Sequence, residues 1–263
     1  MSTLTYAVAD SATMLRRQLR HMQRYVSVTV FLVGMPIVFL LLFVYVFGGT
    51  LGAGIGGPGG GRAQYVEYVT PGILLMAVAA GSAGTAISVA MDMTEGIVAR
   101  FRTMAIFRPS VLAGHVLGSM IQTALSLAAA LGVALLIGFR PNATPVEWLA
   151  AAGVLAGITF AITWLSVAFG LVTKTVEAAS NLPTPLVFLP FLGSGFVPTD
   201  SLPTALRWFA EYQPFTPVIE TVRGLLLGTA IGDSAMIAVA WCAGITLAGY
   251  LWSRKLYARD PIR

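Results

Sequence analysis

Few side chains in this sequence have the type and spacing needed for covalent chemistry. A nucleophile needs a base within hydrogen-bond reach. Ser194 is framed by Gly193 and Gly195 as an exposed nucleophile would be, but no histidine falls in a later apolar run to activate it. The two histidines, His21 and His115, lie far apart, so Ser194 reads as a small packing residue. Cys242 is the single cysteine, which excludes an internal disulfide and any cluster built on several thiolates. No catalytic and no metal-ligating residues are expected. The stretch Gly52-Ala53-Gly54-Ile55-Gly56-Gly57 matches G-x-G-x-x-G in form, but no strand precedes it and no helical run follows at once. It is expected to be part of a flexible, glycine-rich loop over Gly48–Tyr68. The two lysines, Lys174 and Lys255, follow no Walker A glycines. The chain is therefore expected to bind no nucleotide or other cofactor itself.

Composition identifies the elements that must carry any function. The 263 residues are 57% hydrophobic and 10% charged, and mean hydropathy is +0.81. A soluble domain averages about 25% charged residues, so this chain has too few charges to cover a water-facing surface, and the surplus must face lipid. Six apolar runs are long enough, or nearly so, for a bilayer core about 30 Å thick: about Val26–Phe47, Val69–Met91, Val111–Phe139, Trp148–Val172, the shorter Leu182–Pro198, and Ala235–Trp252. None contains Asp, Glu, Lys or Arg. The fold class is therefore an all-α integral membrane protein with six transmembrane helices. Carboxylates or paired charges at mid-depth, the usual apparatus of proton- or sodium-driven transport, are missing from these runs.

Twelve basic residues (Arg16, Arg17, Arg20, Arg24, Arg100, Arg102, Arg108, Lys174, Arg254, Lys255, Arg259 and Arg263) fall on the side of the N-terminus; Arg62, Arg140, Arg207 and Arg223 fall opposite. The positive-inside rule then puts both termini in the cytoplasm. The +5 net charge reflects this loop asymmetry and not an affinity for nucleic acid. No cleavable secretory signal is expected, because the first apolar run starts late and no small-residue cleavage site follows it.

Residues 1–25 form a cytoplasmic segment and 26–263 one membrane domain. About Asp10–Arg24 reads as a helix with Met14, Leu15, Leu19 and Met22 near one face and Arg16, Arg17, Arg20 and Arg24 beside them. It would lie in the inner headgroup layer as an interfacial helix, or be a solvated helix that only sets topology. The cytoplasmic loop of about 92–110 mixes Phe101, Met104, Ile106 and Phe107 with Arg100, Arg102 and Arg108. It reads as a docking element for a partner or as a helix snorkelling on anionic lipid. Outside, about 199–234, two short helices over Ala205–Tyr212 and Val218–Leu227 are expected either to dip back into the outer leaflet or to lie flat on it, with Glu220 and Arg223 spaced to pair. The G-x-x-x-G pairs Gly114/Gly118 and Gly153/Gly157 are read as packing within one chain.

Several of these stretches resemble a known family. Glu95-Gly96-Ile97-Val98, Arg100-Phe101-Arg102 and Val111-Leu112-Ala113-Gly114 resemble the cytoplasmic loop of ABC-2 permeases of the daunorubicin-resistance type. The likeness is closer over Leu189–Pro203 and continues through Gln213–Val218 and Arg223–Gly228. Ala99, Ala105 and Phe107 depart from the residues frequent there, and His115 replaces a frequent arginine.

The resemblance implies a permease subunit of the bacterial plasma membrane that pairs with a second copy and recruits two copies of a separate ATPase, which holds ATP and Mg. Glu95, Gly96, Arg100, Phe101, Arg102 and Arg108 would lie in the loop that docks on that ATPase. Pro198, Glu220 and Arg223 would belong to the outer re-entrant gate. The first, second and fifth spans would border the substrate path, and Phe39, Phe43, Met76, Phe188 and Phe191 are assigned to it by span position. Cargo would be an amphipathic drug or lipid, or alternatively a lipid-linked glycan. From the residues alone, a passive channel or scaffold without an ATPase stays open.

Overall fold

The computed structural model describes residues 3–24, 26–56, 61–96 and 109–258, and every regular element among them is helical. α1 covers Thr3–Arg24 and α2 Val26–Leu42. A π-helical turn, Phe43–Phe47, leads into α3, Gly48–Gly56. Then come α4 (Arg62–Thr94), α5 (Pro109–Leu136) and α6 (Pro145–Val172). Two short helices, α7 (Val176–Asn181) and α8 (Thr184–Phe188), precede a 3₁₀ turn at Thr199–Ser201. The chain ends in α9 (Thr204–Tyr212), α10 (Phe215–Leu227) and α11 (Ser234–Ala258).

Five helices are long and apolar enough to cross a membrane: Thr29–Ile55, Arg62–Thr94, Ser110–Leu136, Pro145–Val172 and Ser234–Tyr257. The chain is a multi-pass membrane protein. The expected span over Leu182–Pro198 is not one continuous helix. Pro183, Pro185 and Pro190 each lack the backbone donor that helix propagation needs, so the segment breaks into α8 and a series of turns through Phe196.

The N-terminal helix begins at Thr3 instead of near Asp10, and two further boundaries differ from expectation for one reason. The stretch Gly48–Tyr68, expected as a loop, is helical over Gly48–Gly56 and again from Arg62. Its apolar side chains find partners: Tyr65 and Val66 are fully buried, and Leu51 and Ile55 pack against the same core. Helix continues wherever that burial is available, even through glycine. At its other end α4 runs past Met91 to Thr94 and so carries Asp92 into the bundle.

Helix ends follow local chemistry. Thr144 and Glu147 form a capping box at the start of α6, with Pro145 in the first turn. Beyond α5, Arg140 Nη1 donates to the carbonyl of Leu135 in the last turn (3.0 Å) and to that of Phe139 in the following loop (3.3 Å). Gly228 closes α10 with φ 73°, a left-handed cap suited to glycine.

α4 is the hub, touching α2, α3, α5, α6, α7, α8 and α10. Its Val69, Ile73 and Leu75 meet Leu40 and Val44 of the first span and Phe215, Val218 and Ile219 of α10 in the main core. α10 is packed among α4, α6 and α11, whereas α9 leaves Trp208 and Tyr212 exposed.

Candidate functional site

α2, α4 and α8 border an open-sided cavity of about 510 Å³ lined by Phe31, Leu32, Met35, Pro36, Phe39, Met76, Ala80, Ala83, Val187, Phe188 and Phe191, with Phe31 and Phe188 exposed at its rim. Four of the five path residues expected from span position, Phe39, Met76, Phe188 and Phe191, meet here. The fifth, Phe43, stands behind them, its ring centroid 6.4 Å from Phe39 and 6.2 Å from Phe191. Phe196, which the sequence did not single out, completes the cluster: it stacks on Phe191 at 4.5 Å with 5° between planes and lies 4.6 Å from Phe43. Phe43 opens the π-helical turn, and the break in 189–196 brings Phe191 and Phe196 side by side. No ionisable group lines the cavity. Such a wall holds flat or acyl apolar groups by area and ring contact, without selecting a charge.

Beside the cavity, the turn-rich segment is bolted to α4 and α10. Glycine is required where backbones touch: a Cβ on Gly72 would run into the Gly195 carbonyl. Arg223, 6% exposed, donates through Nη1 to Glu220 Oε1 (2.6 Å) and through Nη2 to the carbonyls of Ser194 (2.7 Å) and Tyr68 (3.1 Å). Its guanidinium also sits 4.0 Å from the centre of the Tyr68 ring. The expected Glu220–Arg223 pair therefore forms, and Arg223 does more than pair. Buried Gln213 adds a second tie, donating to Leu189 O (3.2 Å) and Thr216 Oγ1 (3.0 Å) and accepting from Phe215 N (3.1 Å). Pro198 caps the 3₁₀ turn that follows. Ser194 is buried in this knot, its carbonyl accepting from Arg223.

At the opposite end lies a cluster that sequence reasoning missed. Asp92 of α4 accepts from Arg17 Nη2 at Oδ1 (2.5 Å) and from Arg17 Nη1 at Oδ2 (2.8 Å), and His115 Nε2 lies 3.0 Å from the same Oδ2. A carboxylate only accepts, so His115 carries a proton on Nε2. Ser88, one turn before Asp92, lies 3.4 Å from His115 Nδ1 and accepts from Gln18 Nε2 at 3.1 Å. Its hydrogen bond to Asp92 holds Arg17 above its ordinary pKa. The signal was present as matching polar stripes at helical spacing, Ser82, Thr85, Ser88 and Asp92 on α4 against His115, Ser119, Thr123 and Ser126 on α5. Thr85 and Ser119 meet at 2.5 Å.

This cluster changes the reading of α1. Arg16, Arg20 and Arg24 are exposed, but Arg17 turns inward. The helix packs along α5, where a Cβ on Gly114 would come within 2.6 Å of Met14 Cβ and one on Gly118 would strike Gln18. The Gly114/Gly118 pair thus packs helices within the chain, as expected. Gly153 meets nothing within 4 Å, and Gly157 meets only Cys242. Of the expected docking loop, Glu95 caps α4 and Gly96 follows with φ 70°; Arg100, Phe101, Arg102 and Arg108 lie outside the described residues.

Comparison with known proteins adds an independent line. The chain is 28% identical over 252 residues to the daunorubicin resistance ABC transporter permease protein DrrB1 of Streptomyces coeruleorubidus, covering 95% of this chain and 87% of that protein. It is 27% identical over 179 residues to the probable doxorubicin resistance ABC transporter permease protein DrrC of Mycobacterium tuberculosis, 67% of this chain and 64% of that protein. The family described as ABC-2 type transporter matches residues 11–227. With that match spanning most of its helices, the chain belongs to the ABC-2 type transporter family.

Proposed function

We propose that this chain is the permease subunit of an ATP-driven exporter that moves an apolar or amphipathic molecule, a drug or a lipid, outward from the cytoplasm or inner leaflet. Two copies pair, and two copies of a separate ATPase subunit supply ATP and Mg. The observation that carries the reading is the phenylalanine-lined cavity. It brings together residues of the first and second spans and of the broken segment, and its lining offers room and ring surface but no charge. The names of the relatives, daunorubicin and doxorubicin resistance permeases, supply the chemical class: polycyclic aromatic drugs.

The broken segment acts as a sixth crossing, which leaves both termini in the cytoplasm. Gly170 lies against Ala86 and Val89, whereas Gly195 lies against Gly72. Fourteen positions of α4 separate Ala86 from Gly72, about 21 Å of helix, so the chain climbs most of a bilayer core between those contacts. α9 and α10 then form the outer re-entrant pair, with Pro198, Glu220 and Arg223 at its root. Glu95, Gly96, Arg100, Phe101, Arg102 and Arg108 form the docking loop on the ATPase.

The test is efflux from vesicles containing the chain with its ATPase, using daunorubicin and a tail-labelled phospholipid as probes. ATP-dependent efflux of either supports the reading, and its dependence on Phe39 and Phe191 ties it to the cavity. Equal flux with and without ATP identifies a passive channel instead.

A further inference from the structure

The docking loop leaves α4 just after Asp92 and returns to the bundle at α5, whose second turn carries His115. The left-handed turn at Gly96 opens the loop four residues beyond Asp92, and α5 begins six residues before His115. Both roots of the loop are therefore held by one carboxylate, Asp92, which His115 contacts from α5 and Arg17 from α1. The Gln18–Ser88 hydrogen bond adds a second tie between α1 and α4. A hinge at this point would absorb any displacement of the loop. A clamp on a buried carboxylate does the reverse: Asp92 and His115 are buried while Arg17 is partly exposed, and pulling the partners away leaves the Asp92 charge unpaired where it is poorly solvated.

We propose that Arg17, Asp92 and His115 form the joint that delivers displacement of the 95–108 loop to α1, α4 and α5 as one rigid body. They are positioning residues: they touch neither ATP nor cargo, and they set how much of the loop's movement reaches the spanning helices. α1, read from sequence as a headgroup-layer or topology-setting helix, is then part of the moving unit. This inference rests on the ATP-driven reading above and adds to it the place where coupling is made.

The experiment compares wild type, Asp92→Asn, Arg17→Lys and the neutral pair Arg17→Gln/Asp92→Asn. Each is co-purified with the ATPase subunit and reconstituted with the same two probes. Three quantities are read: ATPase recovered, ATP hydrolysed, and probe exported per ATP. Asp92→Asn should keep recovery and hydrolysis within about twofold of wild type and export at least tenfold less probe per ATP. Arg17→Lys, which keeps the charge, should recover most of that ratio. The neutral pair removes both charges together and guards against misfolding of the single variant; it should fold and bind the ATPase yet stay uncoupled. Wild-type export per ATP in the neutral pair overturns the joint. So does a loss of hydrolysis and ATPase recovery in step with export, which assigns the cluster to folding or docking. If wild type itself exports neither probe with ATP, the ATP-driven reading fails and the joint falls with it.

Discussion

Arg223 of α10 donates to the carbonyl of Ser194, 2.7 Å away, across 29 positions of sequence. Through that bond and its partner to Tyr68 O, one side chain ties α10, the turn-rich segment and the hub helix α4. A buried carbonyl in a turn lacks the helical partner it would otherwise have, so the donor that Arg223 offers to Ser194 O permits the irregular backbone there. The irregular backbone in turn places Phe191 on the cavity and stacks Phe196 behind it.

Replacing Arg223 with Met should therefore destabilise the packing of α10 and the turn-rich segment on α4. Hydrogen bonds to charged groups contribute about 1.5–3 kcal/mol each, and two carbonyls and Glu220 lose their partner together. Thermal unfolding in detergent should show a drop of at least several degrees. Arg223→Lys should recover only part of it, since an ammonium lacks the planar fork that reaches Ser194, Tyr68 and Glu220 at once. An unchanged melting temperature in Arg223→Met would mean the knot is idle.

Gly72→Ala tests the same region sterically. Alanine is ordinarily the better helix former, by about 1 kcal/mol, yet here the added methyl meets the Gly195 carbonyl. Overpacking of this kind costs about 1–3 kcal/mol, so net destabilisation is expected. Gly34→Ala, which meets nothing within 4 Å, should be neutral or stabilising in the same assay.

Phe191→Ala and Phe39→Ala should weaken probe binding by roughly tenfold each, in line with about 1 kcal/mol or more for lost aromatic contact and area. Basal ATP hydrolysis by the complex should change little, because both residues lie in the apolar cleft and not in the Arg17–Asp92–His115 cluster. Fluorescence titration with daunorubicin separates the two quantities. Loss of binding with equal loss of folded protein would instead mark the rings as core.

Gly118→Leu should displace α1 from α5, because even a Cβ there strikes Gln18. The expected readout is faster proteolysis within 3–24 in intact vesicles opened on the cytoplasmic side. Gly153→Leu, on a surface open to lipid, should leave proteolysis unchanged.

The sequence made the long apolar helices legible because hydropathy and length are local properties. Span position alone put Phe39, Met76, Phe188 and Phe191 near one another, although facing lipid was as open to each of them. The sequence did not reveal that Leu182–Pro198 would break, although three prolines were visible, because the burial that offsets a break depends on Arg223 and Gln213 from a later helix. It hid Asp92 for a different reason: a carboxylate one residue beyond an apolar run looks like a loop residue until Arg17 and His115 are known to lie beside it. The helical course of Gly48–Gly56 escaped notice because glycine content argues for a loop, and only packing against α4 decides otherwise.

The most direct test of the account is the energy source. Vesicles are loaded with daunorubicin or the tail-labelled phospholipid and contain either this chain alone or this chain with the ATPase subunit recovered from its own membranes. The account predicts no uphill movement by the chain alone under an imposed proton or sodium gradient, and ATP-dependent uphill export once the ATPase is present. Gradient-driven accumulation by the chain alone, or no response to ATP in the complete complex, would contradict it.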